Sequence, residues 1–139
     1  MAAMCDNKSR ELSGFNYVVR LFAPIIWSGI ICWLSLTSSP LQIPGILGWD
    51  KLLHAAAYAL LTVLVAQYLH VYSGNWIASV YAGLLATVYG GLMEVLQLMV
   101  QTGRTAEWSD MAADIVGALA GYVIFRRAVV LLSQYHARS

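Results

Sequence analysis

Four apolar stretches dominate the chain: Leu21–Ser38, Leu52–Tyr72, Trp76–Val100 and Met111–Leu132. A helix needs about 20 mostly apolar residues, rising 1.5 Å each, to cross the hydrocarbon core of a bilayer. All four stretches meet or approach that length. Soluble core helices of this length would show a polar face, and these mostly do not. Composition says the same. Charged residues are 11% of the chain and hydrophobic residues 60%, whereas soluble domains carry about 25% charged residues. There is too little polar surface to face water, so lipid is the solvent. The expected fold is all-α, an integral membrane bundle of four transmembrane helices over about 18–38, 51–72, 76–101 and 110–133. A polar leader, 1–16, precedes a single transmembrane domain, 17–139. The connections are short. "SSPLQIPGILGW" holds two prolines and two glycines, "SGN" at 73–75 reads as a tight turn, and "QTGRTAEWSD" ends in Ser109–Asp110, good N-cap residues for the fourth helix.

Lys and Arg in short loops set membrane orientation. One side carries Lys8, Arg10, Arg20, Arg126, Arg127 and Arg138, and the other only Lys51 and Arg104. Both termini are therefore expected in the cytoplasm, in a multi-pass protein of the plasma (cytoplasmic) membrane. A rival reading takes the first stretch as a signal peptide cleaved near "SLTSS". Cleavage would leave the other three helices in the same orientation. Net charge is +1 with no basic patch, which argues against nucleic acid as a partner. Cys5 and Cys32 lie at different depths and cannot pair, and no Cys or His spacing typical of zinc is present.

With this topology the ionisable groups converge. Asp50, Lys51, His54, Tyr58, Glu94, Gln97, Arg104, Glu107, Asp110 and Asp114 fall at or near the outer face, and they include five of the seven acids. Spacing selects faces, because residues three or four apart share one side of a helix. The second helix repeats Asp50, His54, Tyr58, Thr62 and Ala66. The third repeats Gly83, Thr87, Gly90, Glu94, Gln97 and Gln101, and the fourth Asp110, Asp114, Gly117 and Gly121. Ionisable groups within a membrane face the bundle interior, and small residues let helices approach closely. The expectation is a polar pocket between helices two, three and four, open outward and floored by glycine packing. Ser28, Cys32 and Ser35 give the first helix a weaker polar face that closes the bundle.

Each group has a purely structural reading beside the functional one. Asp50 and Asp110 suit helix starts, Lys51 suits an interfacial side chain that snorkels, and His54 and Tyr58 suit packing. Glu94 is costlier to explain, since a charge at mid-helix depth costs about 2.5–3.5 kcal/mol on insertion scales. An ion pair with Arg104 is its structural reading. Four carboxylates, Asp50, Glu94, Asp110 and Asp114, face two cations, Lys51 and Arg104. Like charges so close cannot all stay ionised, so a carboxyl keeps a proton, His54 is charged, or a cation enters. A metal on His54 and carboxylates is chemically compatible. No H-E-x-x-H or similar compact motif supports it, so neither a metal nor a cofactor is assigned.

Asp50-Lys51-x-x-His54-x-x-x-Tyr58, Glu94-x-x-Gln97, Gly103-Arg104, Asp110 and Gly117-x-x-x-Gly121, in this order, resemble the VanZ-like family of small membrane proteins. Asp114 departs from that pattern, where the family often has Asn. The resemblance implies a multi-helix integral membrane protein of the cell envelope. It also implies an association with antibiotic resistance, since the family is named for a member linked to resistance to the glycopeptide teicoplanin. Three functions fit the residues. The first is a factor binding a lipid-linked or cell-surface ligand in the outer pocket, with Arg104 and Lys51 meeting an anionic head group. The second is an enzyme acting on a lipid head group, with His54 as acid or base and Glu94 as partner acid. The third is a small transporter or proton-linked module, which needs a homo-oligomer to form a path. Membrane lipids are partners in all three.

Overall fold

The computed structural model describes residues 2–37, 49–73, 76–100 and 108–138, all but a few of them helical. The elements are α1 (Ala2–Leu36), α2 (Trp49–Ser73), α3 (Ile77–Val100) and α4 (Trp108–His136). Each contains a segment long and apolar enough to cross a membrane: Val18–Leu36, Trp49–Val71, Ile77–Val100 and Trp108–Tyr135. The protein is a four-helix, multi-pass membrane protein. α1 begins at Ala2, so the polar leader is helical and continuous with the first span. The other helices run one to three residues past the limits expected from sequence at most ends. The stretches 38–48 and 101–107 lie outside the described residues, as do residues 74–75 of the turn expected at 73–75 and the predicted helix ends at 38 and 101; Ser73 closes α2.

The surface is that of a protein in lipid. Val88 is 69% exposed, Leu98 64% and Val116 61%. Large apolar side chains left this open at mid-helix would be aggregation sites in water. Between 17% and 28% of the residues in each span are buried, as expected when the bilayer covers most of each helix.

α2, α3 and α4 form the compact part of the bundle, with the most extensive packing between α2 and α4. Gly117 and Gly121 account for that closeness. A Cβ on Gly117 would overlap the Ala55 carbonyl, and one on Gly121 the Ala59 carbonyl. α1 packs on α2 and α3 and, among the described residues, does not touch α4. One core cluster, Ile31, Tyr58, Leu61, Ala86, Met93 and Ala118, ties all four helices together. A second, Ala66, Ala82 and Phe125, lies nearer the end where α2 turns into α3.

α1 is held by hydrogen bonds onto helix backbone. Trp27 Nε1 donates to the Ala57 carbonyl at 3.0 Å, Tyr89 Oη to the Ser28 carbonyl at 2.7 Å, and Gln97 Nε2 to the Ser35 carbonyl at 3.0 Å. Pro24 sits inside α1 and brings no N–H to the helix ladder. The Ser28 hydroxyl bonds the Pro24 carbonyl at 2.8 Å, one turn later.

Candidate functional site

The start of α2, the end of α3 and the start of α4 meet at one end of the bundle. Asp50 and Asp110 each lie in a first turn, where the positive end of the helix dipole favours an acid. Asp110 is not spent on capping alone. It is 5% exposed and accepts a hydrogen bond from Lys51 Nζ. Lys51 also stands 3.7 Å from Asp50 Oδ2. One turn further into the membrane, His54 Nδ1 and Asp114 Oδ1 are 2.8 Å apart. The other imidazole nitrogen, Nε2, is 3.8 Å from Asp110 Oδ2. The order is an ion pair at the rim, a histidine–carboxylate pair below it, and Asp110 facing both.

Asp114 is 2% exposed, and Gly90 makes room for it. A Cβ at Gly90 would lie 2.8 Å from Asp114 Oδ2 and 3.2 Å from Tyr58 Cε1. Gly90 is thus the gap on α3 through which α2 and α4 bring Tyr58 and Asp114 together. The Tyr58 ring is buried and lies 6.5 Å from that of Tyr89. Glu94 and Gln97 are buried on the same face of α3, and Gln97 spends its amide on α1. The buried face of α3 continues through Ala86 and Ala82 rather than the expected Thr87 and Gly83. The two alanines are small enough for close packing, and Gly83 has open space beside it. Arg104 and Glu107 lie outside the described residues.

Gly90, Gly117 and Gly121 bring α2, α3 and α4 close together. A cavity of about 330 Å³ lies between α1 and α2, and Asp50, His54 and Tyr58 of the expected α2 stripe are among its lining. α1 packs less closely than the others, and so a groove remains. Its walls are mainly apolar: Trp27, Ile31 and Leu34 from α1, and Leu53, Ala56 and Leu60 from α2. Asp50, His54 and Thr37 line its polar end. From Asp50 to Leu60 the groove follows ten residues of helix, about 15 Å at 1.5 Å per residue.

Asp50, His54 and Asp110 offer one ligand atom each, all within 4.8 Å of one another. The Lys51 ammonium is already set against both carboxylates of that trio. The protein supplies its own cation there, and the trio does not fit a metal site.

Residues 6–132 match the sequence model of the VanZ/LLP1 family. The chain belongs to that family. The match takes in every candidate site residue from Asp50 to Asp114. Comparison with curated proteins and with solved structures returns no match.

The sequence pattern pointed to the polar stripes of this VanZ-family protein but not to Trp27, Tyr89 or Ser35 as the fastenings of α1. Ser35 takes part through its backbone carbonyl, which carries no signal in the sequence. Trp27 carried none, since an indole in an apolar span is ordinary.

Proposed function

We propose that this VanZ-family protein binds a lipid-linked ligand, with the ligand's chain in the α1–α2 groove and its head group at Asp50 and His54. The observation that carries this reading is the groove's two-part lining, apolar along its length and ionisable at one end. Its length of about 15 Å is half a hydrocarbon core of about 30 Å, the depth of one leaflet. By the distribution of Lys and Arg, that leaflet is the outer one of the plasma membrane. Lys51, expected from sequence to meet an anionic head group together with Arg104, lies against Asp110 and Asp50.

The test fills the groove. Ala56 is exposed and lines it, so Ala56→Trp adds an indole to the cavity without entering the core. Protein purified from its membrane in mild detergent is expected to retain a lipid by native mass spectrometry, and Ala56→Trp to lose it. Retention by a folded Ala56→Trp protein equal to wild type sinks the proposal.

The His54–Asp114 pair favours a second reading. A carboxylate that fixes one imidazole nitrogen leaves the other to move a proton, as chemistry on a head group would require. Incubating the protein with mixed envelope lipids separates the readings: turnover that His54→Ala abolishes makes the protein an enzyme, and retention without turnover leaves it a binder.

A further inference from the structure

α4 sets two arginines inside an apolar run. Val123, Ile124 and Phe125 precede Arg126 and Arg127, and residues 128–132, AVVLL, follow them. Their depth is fixed by α2. His70 lies in the last turn of α2, and its ring packs edge-on against Phe125, centroids 5.7 Å apart. Arg126 and Arg127 therefore stand level with the end of α2, at the opposite end of the bundle from Asp50 and the groove's polar end. Charges set in an apolar span are costly unless something pairs with them. The helices packed on α4 supply no acid here: α2 has none after Asp50, α3 none before Glu94, and α4 itself none after Asp114. Asp6 and Glu11 of the leader belong to α1, which among the described residues does not touch α4. Among the described residues no carboxylate pairs with either guanidinium. Nor does Arg126 simply reach out to water. It turns back along α4 to Tyr122, one turn nearer the bilayer centre, with Nη1 donating to the Tyr122 hydroxyl at 3.4 Å and Cζ 5.9 Å from the ring centroid.

We propose that Arg126, Arg127 and Tyr122 hold the head-group phosphate of an anionic phospholipid, in the leaflet on the side of the chain termini. Depth supplies the anion, because the ends of spanning helices lie among lipid head groups. Geometry suits it, because a guanidinium meets phosphate through two parallel N–H bonds. Successive residues diverge by about 100° around a helix, so the two arginines flank one sector of α4, and Arg127 is exposed to lipid there. The Tyr122 oxygen accepts from Arg126 and keeps its own hydrogen for a phosphate oxygen. Charge selects a head group of net negative charge. The ammonium of a zwitterionic head would meet two guanidiniums and, among the described residues, no carboxylate. The site shares no residue with the α1–α2 groove, so the two stand or fall separately.

The test compares two lipids that share chains and phosphate and differ in net charge. Full-length protein in mild detergent is mixed with equimolar phosphatidylglycerol and phosphatidylcholine, and bound species are counted by native mass spectrometry. An arginine near a membrane surface is worth about fivefold in affinity for an anionic lipid, so wild type is expected to prefer the glycerol lipid by about 25-fold. Arg126→Gln should cut that preference about fivefold. Arg20→Gln, an equal loss of charge on the exposed surface of α1, should leave it unchanged. Should Arg126→Gln fail to fold, Arg127→Gln at its exposed position takes its place, with the same fall expected. A wild-type ratio at or below one overturns the proposal, as does a ratio that neither arginine of α4 alters. An equal fall with Arg20→Gln makes the attraction a diffuse one and removes the site. Displacement of the bound lipid by excess inorganic phosphate would make this a site for the free ion and end the lipid assignment.

Discussion

The α2–α4 crossing makes a sharp prediction, because two glycines of similar sequence context have opposite surroundings. A Cβ added at Gly117 would stand 2.8 Å from both the carbon and the Cα of Ala55. Ordinary contact begins at 3.4 Å, and the Ala55 carbonyl oxygen is closer still, so the helices must separate by more than 0.6 Å. The neighbour is backbone and cannot rotate away. Overpacking of this kind costs about 1–3 kcal/mol, and separation also pulls Asp114, three residues before Gly117, away from His54. A Cβ at Gly83 meets nothing within 4 Å, so Gly83→Ala removes only the backbone freedom of glycine. It should be neutral or stabilising by up to about 1 kcal/mol. The assay is reversible unfolding in mixed micelles of rising dodecyl sulfate fraction, followed by circular dichroism. Gly117→Ala is expected to unfold at a clearly lower fraction than wild type, and Gly83→Ala at an equal or higher one. A Gly117→Ala protein within about 0.5 kcal/mol of wild type, the scatter typical of surface changes, would refute the close crossing. So would a larger loss for Gly83→Ala.

The rim pair and the topology give two further outcomes. Lys51→Met leaves the Asp110 carboxylate, 5% exposed, without its ammonium. Breaking a buried pair costs about 3–5 kcal/mol, and about 1–3 kcal/mol is expected here because Lys51 is 35% exposed and water screens the pair. The same unfolding assay should show most of that loss recovered when Asp110→Asn is added, and no recovery would mean that the pair is not the reason for the loss. Cysteines at Gln42 and Gln101 should react with an impermeant maleimide added outside intact cells, and one at Ser73 should not; the reverse pattern would invert the orientation.

Much of this molecule is legible in the sequence, for a simple reason. Lipid removes the choice of secondary structure, since a spanning segment must satisfy its backbone internally. Four apolar stretches therefore mean four helices, and short connections mean antiparallel neighbours. The period of four then places His54, Tyr58 and Thr62 on one face of α2, and Asp110, Asp114 and Gly117 on one face of α4. What periodicity does not carry is distance between helices. Gly90, Gly117 and Gly121 were legible as packing residues, yet the pattern did not say that α1 and α2 would leave a groove between them. The register of α3 was missed at Gly83 and Thr87 because small and polar residues alternate there with alanines equally able to pack. Trp27, Tyr89 and Gln97 bond to backbone carbonyls, and a carbonyl acceptor has no sequence signature at all.

The buried stripe of α2 also bears on transport. Asp50, His54, Tyr58 and Thr62 run inward at intervals of four, and the series then ends. Ala66 and Ala82 are 0% exposed and Phe125 is 8% exposed, forming an apolar plug across α2, α3 and α4. Beyond it His70 packs edge-on against the Phe125 ring, centroids 5.7 Å apart. Thr62 and His70 are eight residues apart, about 12 Å along the helix, and no described polar side chain of α2 lies on that face between them. A proton path would have to cross this apolar layer, where a charge costs several kcal/mol. The four-helix unit is therefore expected to be proton-tight. Proteoliposomes carrying a pH-sensitive dye inside should relax an imposed pH difference no faster than protein-free vesicles of the same lipid. A protein-dependent flux abolished by His54→Ala would overturn the blind-ended site and move the protein into the class of proton-linked transporters.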